Sequence, residues 1–283
     1  MSANDSRHES SANPPVDVAF TDDDDETGLL PAVAAATVLI FHERDERDTR
    51  PRLLMVRRAK TMAFAAGAAV FPGGKLDADD HEVAKPLALG AGMALADAAA
   101  RVAAIRETLE ETGLAPGLEH GGGDAALAAM RVALLADMPF SVVLAEHGAR
   151  LILDELVPFS RWRPNFAHAR IFDTRFYLAR LAGPLPHHGV DESENSELFW
   201  IGAAEAVAQA QAGALHMIFP TRRNMERVAQ YRSFDEARDS TRRFPPRRIT
   251  PFIKQHNGQP HLCIRDDCGY PITSERLDKA IRD

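Results

Sequence analysis

The chain has 283 residues, of which 45% are hydrophobic, and it carries a formal net charge of −8. This length and apolar content suit one elaborated domain or two small ones with a real core. The acidic balance argues against a nucleic-acid partner, because binders of DNA and RNA carry a basic stripe. The longest apolar stretch, near residues 31–41, is too short to span a bilayer, and two cysteines without a basic-then-apolar leader favour a reducing cytoplasm. We expect a cytoplasmic protein without a membrane segment.

The first third of the chain predicts a tail followed by strands. Residues 1–29 are polar and end in an acidic run, a composition that predicts a disordered tail. Two apolar, β-branched runs at 33–41 and 52–58 predict a hairpin, because a charged segment separates them. Residues 64–74 are punctuated by glycines and predict a short strand that leads into a tight turn.

Helical patterns dominate the middle of the chain. Residues 77–92 are expected to be an irregular insertion, because a proline and two glycines interrupt the pattern. Residues 95–112 predict a helix, for which Gly113 is a natural C-terminal stop. The later predictions are helices at 124–136 and 142–147 and strands at 170–181 and 197–201. Two more helices are predicted, one at 203–212 and one at 221–231 that Thr221 would cap. After Ser233 we expect a short helical stretch and a small strand pair.

Three glutamates share one face of the helix predicted at 95–112. Glu107, Glu110 and Glu111 span about 100° of arc at helical spacing, and apolar residues cluster opposite. Like charges at this spacing repel by a few tenths of a kcal/mol per pair, a penalty that a hard cation removes. Oxygen-only ligands suit Mg²⁺ or Mn²⁺. The alternative interpretation is a solvated acidic helix face, which is the commoner role of a charged trio.

The sequence around the trio carries a second signal. It reads Arg106-Glu107-Thr108-Leu109-Glu110-Glu111-Thr112-Gly113-Leu114 and is preceded by Phe71-Pro72-Gly73-Gly74. This pattern resembles the Nudix box, G-x5-E-x7-R-E-U-x-E-E-x-G-U, in which U is aliphatic. Gly74 and Arg106 are 32 positions apart, 18 more than in the box. The first glutamate of the box therefore falls on Asp80 when counted from Gly74, or on Ala98, next to Asp97, when counted from Arg106.

The resemblance implies a fold and a reaction. The fold would be of the α/β (α+β) class, a Nudix-like α/β/α sandwich with a mixed sheet and an added helical insertion. The reaction would be hydrolysis of a phosphoric anhydride by a metal-activated water. The implied metal ligands are the carbonyl of Gly74 with Glu107, Glu110 and Glu111, and the implied catalytic residues are Glu107, as ligand or base, Arg106, which would orient a glutamate, and Glu110.

In many family members the base comes from a later loop. The acids available there are Asp191, Glu192, Glu194 and Glu197. Each of these acids alone is more often a surface residue. The resemblance also divides the chain into the tail at 1–29, a Nudix hydrolase domain at 30–232 with insertions at about 80–96 and 121–150, and a C-terminal extension at 233–283.

The stretch before the box is similar to the extra motif of the coenzyme A diphosphatases. The matching positions are Leu53 or Leu54, Arg58, Ala59 and Gly67, whereas Val56 and Ala63 depart from it. Together with the enlarged box and residues 172–176, the chain most resembles the peroxisomal-type branch of that group. The implied substrate is a small nucleoside diphosphate derivative such as coenzyme A or acyl-coenzyme A. Arg58 and Arg175 could bind its phosphates, and surface ion pairs are their alternative role.

Three further points stay open at the level of sequence. A non-catalytic Nudix-fold module that senses or binds a nucleotide is the second hypothesis, although a pure binder has no need of the repulsive glutamate trio. A homodimer is compatible with the sequence, which does not determine the oligomeric state. Cys263 and Cys268 with two nearby histidines form only a weak zinc pattern, because the second ligand pair is irregular.

Overall fold

The computed structural model describes residues 19–20, 28–43, 50–59, 65–166, 171–181 and 195–280. The strands are β1 (Val33–His42), β2 (Arg52–Arg58), β3 (Ala69–Val70), β4 (Gly73–Lys75), β5 (Leu118–Glu119), β6 (Arg150–Leu151), β7 (Val157–Trp162), β8 (Phe172–Leu181), β9 (Asn195–Gly202), β10 (Arg248–Ile249), β11 (Phe252–His256), β12 (Gln259–Cys263) and β13 (Ser274–Arg276). The helices are α1 (Ala78–Ala91), α2 (Leu95–Thr112), α3 (Gly123–Leu135), α4 (Phe140–Glu146), α5 (Ala203–Gln211), α6 (Phe219–Val228), α7 (Phe234–Arg243) and α8 (Leu277–Ala280), with a 3₁₀ turn at Leu153–Glu155.

The central sheet is mixed, as the resemblance predicted. Its order is β10-β7-β8-β1-β2-β3, while β4 pairs with β1 and β9 pairs with β2. β1 runs parallel to β8, and β7 runs parallel to β10, whereas the other pairs of this sheet are antiparallel. The predicted hairpin of β1 and β2 is confirmed by the antiparallel pairing of Phe41 with Leu53.

Each face of the sheet has its own core, because alternate residues of a strand point to opposite sides. On one face, Ala36 and Val38 of β1 pack with buried residues of α1, α2, α3 and α4. On the other face, Leu39 and Phe41 pack with α5, α6 and α7. Tyr270, beyond the strand pair β11–β12, belongs to this second core, so the C-terminal residues pack into the domain. The predicted α/β (α+β) class with a mixed sheet between helices is confirmed.

The helix predicted at 95–112 is confirmed as α2, and Gly113 ends it in the left-handed region at φ 74°. The prediction of an irregular segment at 77–92 is wrong, because α1 occupies it. At the start of α1 the backbone N–H of Asp77 donates to the carboxylate of Asp80 at 2.8 Å. Ala84 and Ala88, one turn apart, are buried against the core on that side. Packing of this face outweighs the local cost of the exposed proline within the helix.

The helix predicted at 221–231 begins earlier than expected. Thr221 does not cap it but lies inside α6, where its side chain is buried, and Ile218 holds the N-cap position. Pro220 explains the shift, because proline is favoured in the first turn of a helix. The strand pair predicted near the C-terminus is a three-stranded sheet, β11-β12-β13. Among the described residues, no helix has the length and apolar character needed to cross a membrane.

Candidate active site

Helix α2 lies over the edge where β4 joins β1. Gly73 and Gly74 of β4 pair with Thr37 and Ala36 of β1. The small side chains of α2 are fully buried: Ala98, Ala99, Ala100, Ala103 and Ala104. This close packing leaves no room for long side chains at these positions. It brings the glutamates to the glycine turn, which is the stretch 71–74 that leads from β3 into β4.

The carboxylate of Glu107 stands directly over Gly74. A Cβ atom on Gly74 would lie 2.3 Å from Cδ and 2.4 Å from Oε2 of Glu107, so only glycine leaves room for the carboxylate. Nη1 of Arg106 donates to Oε1 of Glu107 at 3.0 Å. Burial raises the pKa of Glu107 to about 7, an effect that Arg106 opposes and the charge of Glu110 increases. Near neutral pH this carboxyl is poised between its two protonation states.

Of the two aspartates suggested by the interrupted box, Asp80 is the one that pairs with Arg106. Nε and Nη2 of Arg106 donate to the two oxygens of Asp80 at 3.0 and 2.9 Å, and Nη2 also donates to the carbonyl of Lys75 at 3.0 Å. Burial alone would lower the pKa of Arg106, but the bond to Asp80 and the neighbouring negative charges raise it above its ordinary value. Asp97, the other residue suggested by the interrupted box, instead binds Arg101 at 2.9 Å and the hydroxyl of Tyr177 at 2.7 Å. This pairing favours Asp80 over Asp97 as the counterpart of the first box glutamate.

The other two glutamates contact the same group of residues. Oε2 of Glu111, which is buried, accepts the backbone N–H of Gly73 at 2.9 Å. Oε2 of Glu110 lies 3.6 Å from Nη1 of Arg106. Since Nη1 of Arg106 also binds Glu107, two carboxylates already surround one cationic nitrogen. The structure thus brings together the predicted residues Gly74, Arg106, Glu107, Glu110 and Glu111.

In the part of the chain that the structure describes, no three His, Cys, Asp or Glu side chains are grouped closely enough to hold a metal ion as they stand. The glutamates are engaged by Arg106 and by the Gly73 amide. Their donor set is nonetheless suited to a hard divalent cation, because it consists of carboxylate oxygens beside a glycine backbone. Cys263 and Cys268 are free and buried.

Arg175 shares a row of the sheet with the glycine turn. Ala36 of β1 pairs with Gly74 on one side and with Arg175 of β8 on the other, so all three lie on the α2 face. Arg175 is buried, and its Nε has no hydrogen-bond partner among the described residues. Its guanidinium lies 5.6 Å from the ring centre of Phe20. The predicted alternative role of Arg175, a surface ion pair, is wrong.

Arg58 is the last residue of β2. Its backbone N–H donates to the carbonyl of Ala68, and its Nε is buried without a hydrogen-bond partner in the described chain. The neighbouring Arg57 instead pairs with Glu197 at 2.8 Å and stacks over Phe199.

Of the candidate bases from the later loop, the structure describes Glu197, and it does not bring Glu197 to the site. In the strand register, Arg57 of β2 lies opposite Glu197 of β9 and opposite Ala69 of β3. Residues opposite one another point to the same face, and Ala69 belongs to the core on the face away from α2. Glu197 therefore points to the face opposite Glu107. Asp191, Glu192 and Glu194 lie outside the described residues.

One contact at the site was not predicted from the sequence. Arg131 of α3 donates from Nε to the carbonyl of Glu110 at 2.9 Å and from Nη2 to the carbonyl of Glu111 at 3.2 Å. No local pattern signals this contact, because the partners are 20 or more residues apart and belong to different helices.

Comparison with known proteins supports the resemblance. No protein-family profile matches the chain. A Caenorhabditis elegans relative that bears the name nudix hydrolase 7 is 28% identical over 188 residues, which cover 66% of this chain, and the chain spans only 59% of that relative's length. The crystal structure of a NUDIX hydrolase from Alicyclobacillus acidocaldarius is 27% identical, with a TM-score of 0.60, and the match covers 74% of this chain and 96% of that one. The predicted Nudix fold is confirmed, whereas the coenzyme A diphosphatase branch stays a prediction.

Proposed function

We propose that this chain, which has the fold of the Nudix hydrolases, is a metal-dependent diphosphohydrolase that cleaves a phosphoric anhydride bond. The observation that carries the proposal is the packing of Glu107 and Glu110 around Arg106 over the glycine turn at Gly74. Carboxylates this close together repel one another and lower stability, so such a cluster is typical of a functional site. Pyrophosphate hydrolysis is a use that the similarity to Nudix hydrolases supports.

The residues that would hold Mg²⁺ or Mn²⁺ are the carbonyl of Gly74 with Glu107, Glu110 and Glu111. When bound, such an ion lowers the pKa of a water and neutralises charge on phosphate oxygens. The fit rests on two features of this chain: the carboxylate over Gly74, where no Cβ fits, and an all-oxygen donor set.

The protein's own residues prepare the acid and base chemistry. Asp80 takes up two of the donors of Arg106, which fixes the plane of the guanidinium. Arg106 in turn holds Oε1 of Glu107, and Oε2 faces the turn at Gly74. In the metal-free protein the pKa of Glu107 is about 7. As a carboxylate, Glu107 would either ligate the cation or take a proton from the attacking water.

We propose a nucleoside diphosphate derivative as the substrate, with coenzyme A and acyl-coenzyme A as the first candidates. Arg175 shares a strand row with Gly74, and Arg58 ends β2; both have buried Nε atoms without a hydrogen-bond partner in the described chain. Buried guanidinium groups favour an anionic partner, because an unsatisfied buried donor is costly. Extra phosphates on a nucleotide would supply that partner.

Several other expectations remain proposals. They are the division of the chain into a tail at 1–29, a hydrolase domain at 30–232 and an extension at 233–283, the cytoplasmic location, the absence of a nucleic-acid partner, and the homodimer. The tail lies almost entirely outside the described residues.

The test of the proposed function is direct. The purified protein is incubated with Mg²⁺ or Mn²⁺ and a panel of coenzyme A, acyl-coenzyme A, dinucleotides and sugar nucleotides, and the released phosphate esters are resolved by chromatography. Cleavage of a diphosphate that stops on chelation supports the proposal. No turnover on any of them, alongside tight binding of one, would overturn it in favour of the nucleotide-binding module.

A further inference from the structure

The α3–α4 segment (residues 123–146) contacts the candidate active site at the backbone of α2. It does not contact the site through side chains that face a ligand. Arg131 is half-buried and bonds the carbonyls of two successive residues of α2. Those residues, Glu110 and Glu111, carry two of the carboxylates proposed to hold the cation. The contact therefore joins α3 to the turn of helix that bears the ligands.

The C-terminal turn of α2 is an unfavourable place for acidic side chains. The helix dipole is negative there, so an acidic side chain at this end is destabilising. The last four carbonyls of a helix also lack partners within it. Helix α2, which is described throughout, has no basic residue in its last turn. Arg131 supplies from another helix both the positive charge and the two donors that this turn requires.

The same segment also contacts the start of α1, next to the residue that binds Arg106. The backbone N–H and the hydroxyl of Ser141, in α4, donate to the two oxygens of Asp79 at 2.8 and 2.7 Å. Asp79 precedes Asp80 in the first turn of α1, and Asp80 binds Arg106. The α3–α4 segment is thus joined to both α1 and α2 at the residues next to the site.

We propose that Arg131 is a positioning residue for the metal-binding turn and that the α3–α4 segment holds this turn in its active geometry. This inference rests on the proposed function. Without Arg131 the carbonyls of Glu110 and Glu111 lose the hydrogen bonds from its guanidinium, and the last turn of α2 frays more easily. The two carboxylates then sample more positions, so both the affinity for a divalent cation and the turnover rate fall.

The experiment compares Arg131→Met, Arg131→Lys and Arg150→Met. Arg150 is a matched control, because it is an exposed arginine of a neighbouring strand whose partner is Glu119, at the surface. Binding of Mn²⁺ is measured by electron paramagnetic resonance in the absence of substrate. kcat and KM are measured on the substrate that the panel identifies, and amide hydrogen exchange reports fraying of the last turn of α2.

We expect Arg131→Met to bind Mn²⁺ about 10- to 100-fold more weakly and to lose kcat by a similar factor, with little change in KM. Arg131→Lys should recover part of both, because lysine keeps the charge but lacks the planar fork of donors. Arg150→Met should match the wild type, since exposed ion pairs contribute little. Faster exchange confined to the end of α2 in Arg131→Met supports the mechanism.

A purely structural Arg131 predicts a different pattern. Arg131→Met would then melt earlier, yet well below its melting temperature it would bind Mn²⁺ and turn over like Arg150→Met, which would overturn the inference. A wild type that hydrolyses nothing, with weaker Mn²⁺ binding in Arg131→Met, overturns the proposed activity and leaves the positioning role supported. A wild type that binds no Mn²⁺ overturns both.

Discussion

Arg106 and Asp80 form a two-bond ion pair across 26 residues of chain. Asp80 is fully buried, and its carboxylate also accepts the backbone N–H of Asp77. The pair indicates where the motif is interrupted: the 18 additional residues lie between Asp80 and Arg106, and counted on from Asp80 they form most of α1 and only the first turn of α2. An insertion at this point lengthens the helices without separating Asp80 from Arg106.

Substitution of Asp80 by asparagine should damage both stability and activity. The change removes the fully buried acidic partner of Arg106, whereas Asp77, Glu107 and Glu110 stay within 3.6 Å of the guanidinium. We therefore expect a loss of about 3 kcal/mol, the lower end of the range for a broken buried pair. The guanidinium then no longer fixes Glu107, so we expect kcat to fall about 10- to 100-fold. Urea unfolding measures the first effect, and turnover at a temperature where the variant is folded measures the second.

Asp97→Asn is the control for that variant. Asp97 is also a buried aspartate that binds an arginine, Arg101, but this pair lies at the start of α2, away from the glutamates. It should lose stability while keeping kcat. The opposite outcome, activity lost in Asp97→Asn and kept in Asp80→Asn, would assign the box acid to Asp97.

The carboxylates of Glu110 and Glu111 should be essential for turnover but not for folding. Glu110→Gln or Glu111→Gln removes a proposed ligand charge at almost constant shape, so we expect the rate to fall by orders of magnitude. Circular dichroism and thermal melts should show a folded protein. Glu119→Gln, at an exposed acid, serves as the control. A glutamine variant of α2 with a rate near that of the wild type would show that the helix is not the metal site.

Gly74→Ala should push the carboxylate of Glu107 away from the glycine turn. The added Cβ would lie 2.3 Å from the carboxylate carbon of Glu107, which is the movable end of a flexible side chain. Because the carboxylate must move, we expect activity to be lost with only a small change in stability. Gly90→Ala is the matched control: its Cβ meets nothing within 4 Å in α1, and the change should stabilise by about 0.4–1 kcal/mol with no effect on kcat. Equal activities in the two variants would contradict the close approach.

The buried Glu107 makes the stability of the metal-free protein depend on pH. Its pKa is about 7 in the folded chain and 4.5 ordinarily, so between these values the folded protein keeps a proton that the unfolded chain has lost. Stability therefore falls as pH rises from about 4.5 to 7 and then levels off. The Glu107→Gln variant has no titrating group at this position, so its stability does not fall in this way. By pH 8 it should therefore gain up to about 3 kcal/mol over the wild type, at about 1.36 kcal/mol per pKa unit.

Urea unfolding of both proteins with chelator present, at about pH 5 and pH 8, measures that difference. The variant should be the more stable protein at pH 8 and the inactive one with metal present. A stability difference that is the same at both pH values would show that Glu107 is not held in its protonated form by the fold.

Elements with a local signal were predicted well. The end of α2 at Gly113 follows from the backbone freedom of glycine, and the pairing of β1 with β2 follows from two β-branched runs around a charged turn. α1 was missed because its proline and glycines suggested a break, whereas burial of Ala84 and Ala88 stabilises it. Burial depends on what packs over a segment, and propensity does not report that.

The sequence by itself determined that Glu107, Glu110 and Glu111 share a helix face, because helical geometry repeats every 3.6 residues regardless of the surroundings. Only the tertiary structure decided which of the two aspartates pairs with Arg106 and that Glu197 faces away from Glu107. It also decided that Arg175 shares a strand row with Gly74 and that Arg131 donates to the carbonyls of Glu110 and Glu111. These relationships depend on strand register and on helices packed from distant parts of the chain, where a shift of one residue reverses a side chain's face.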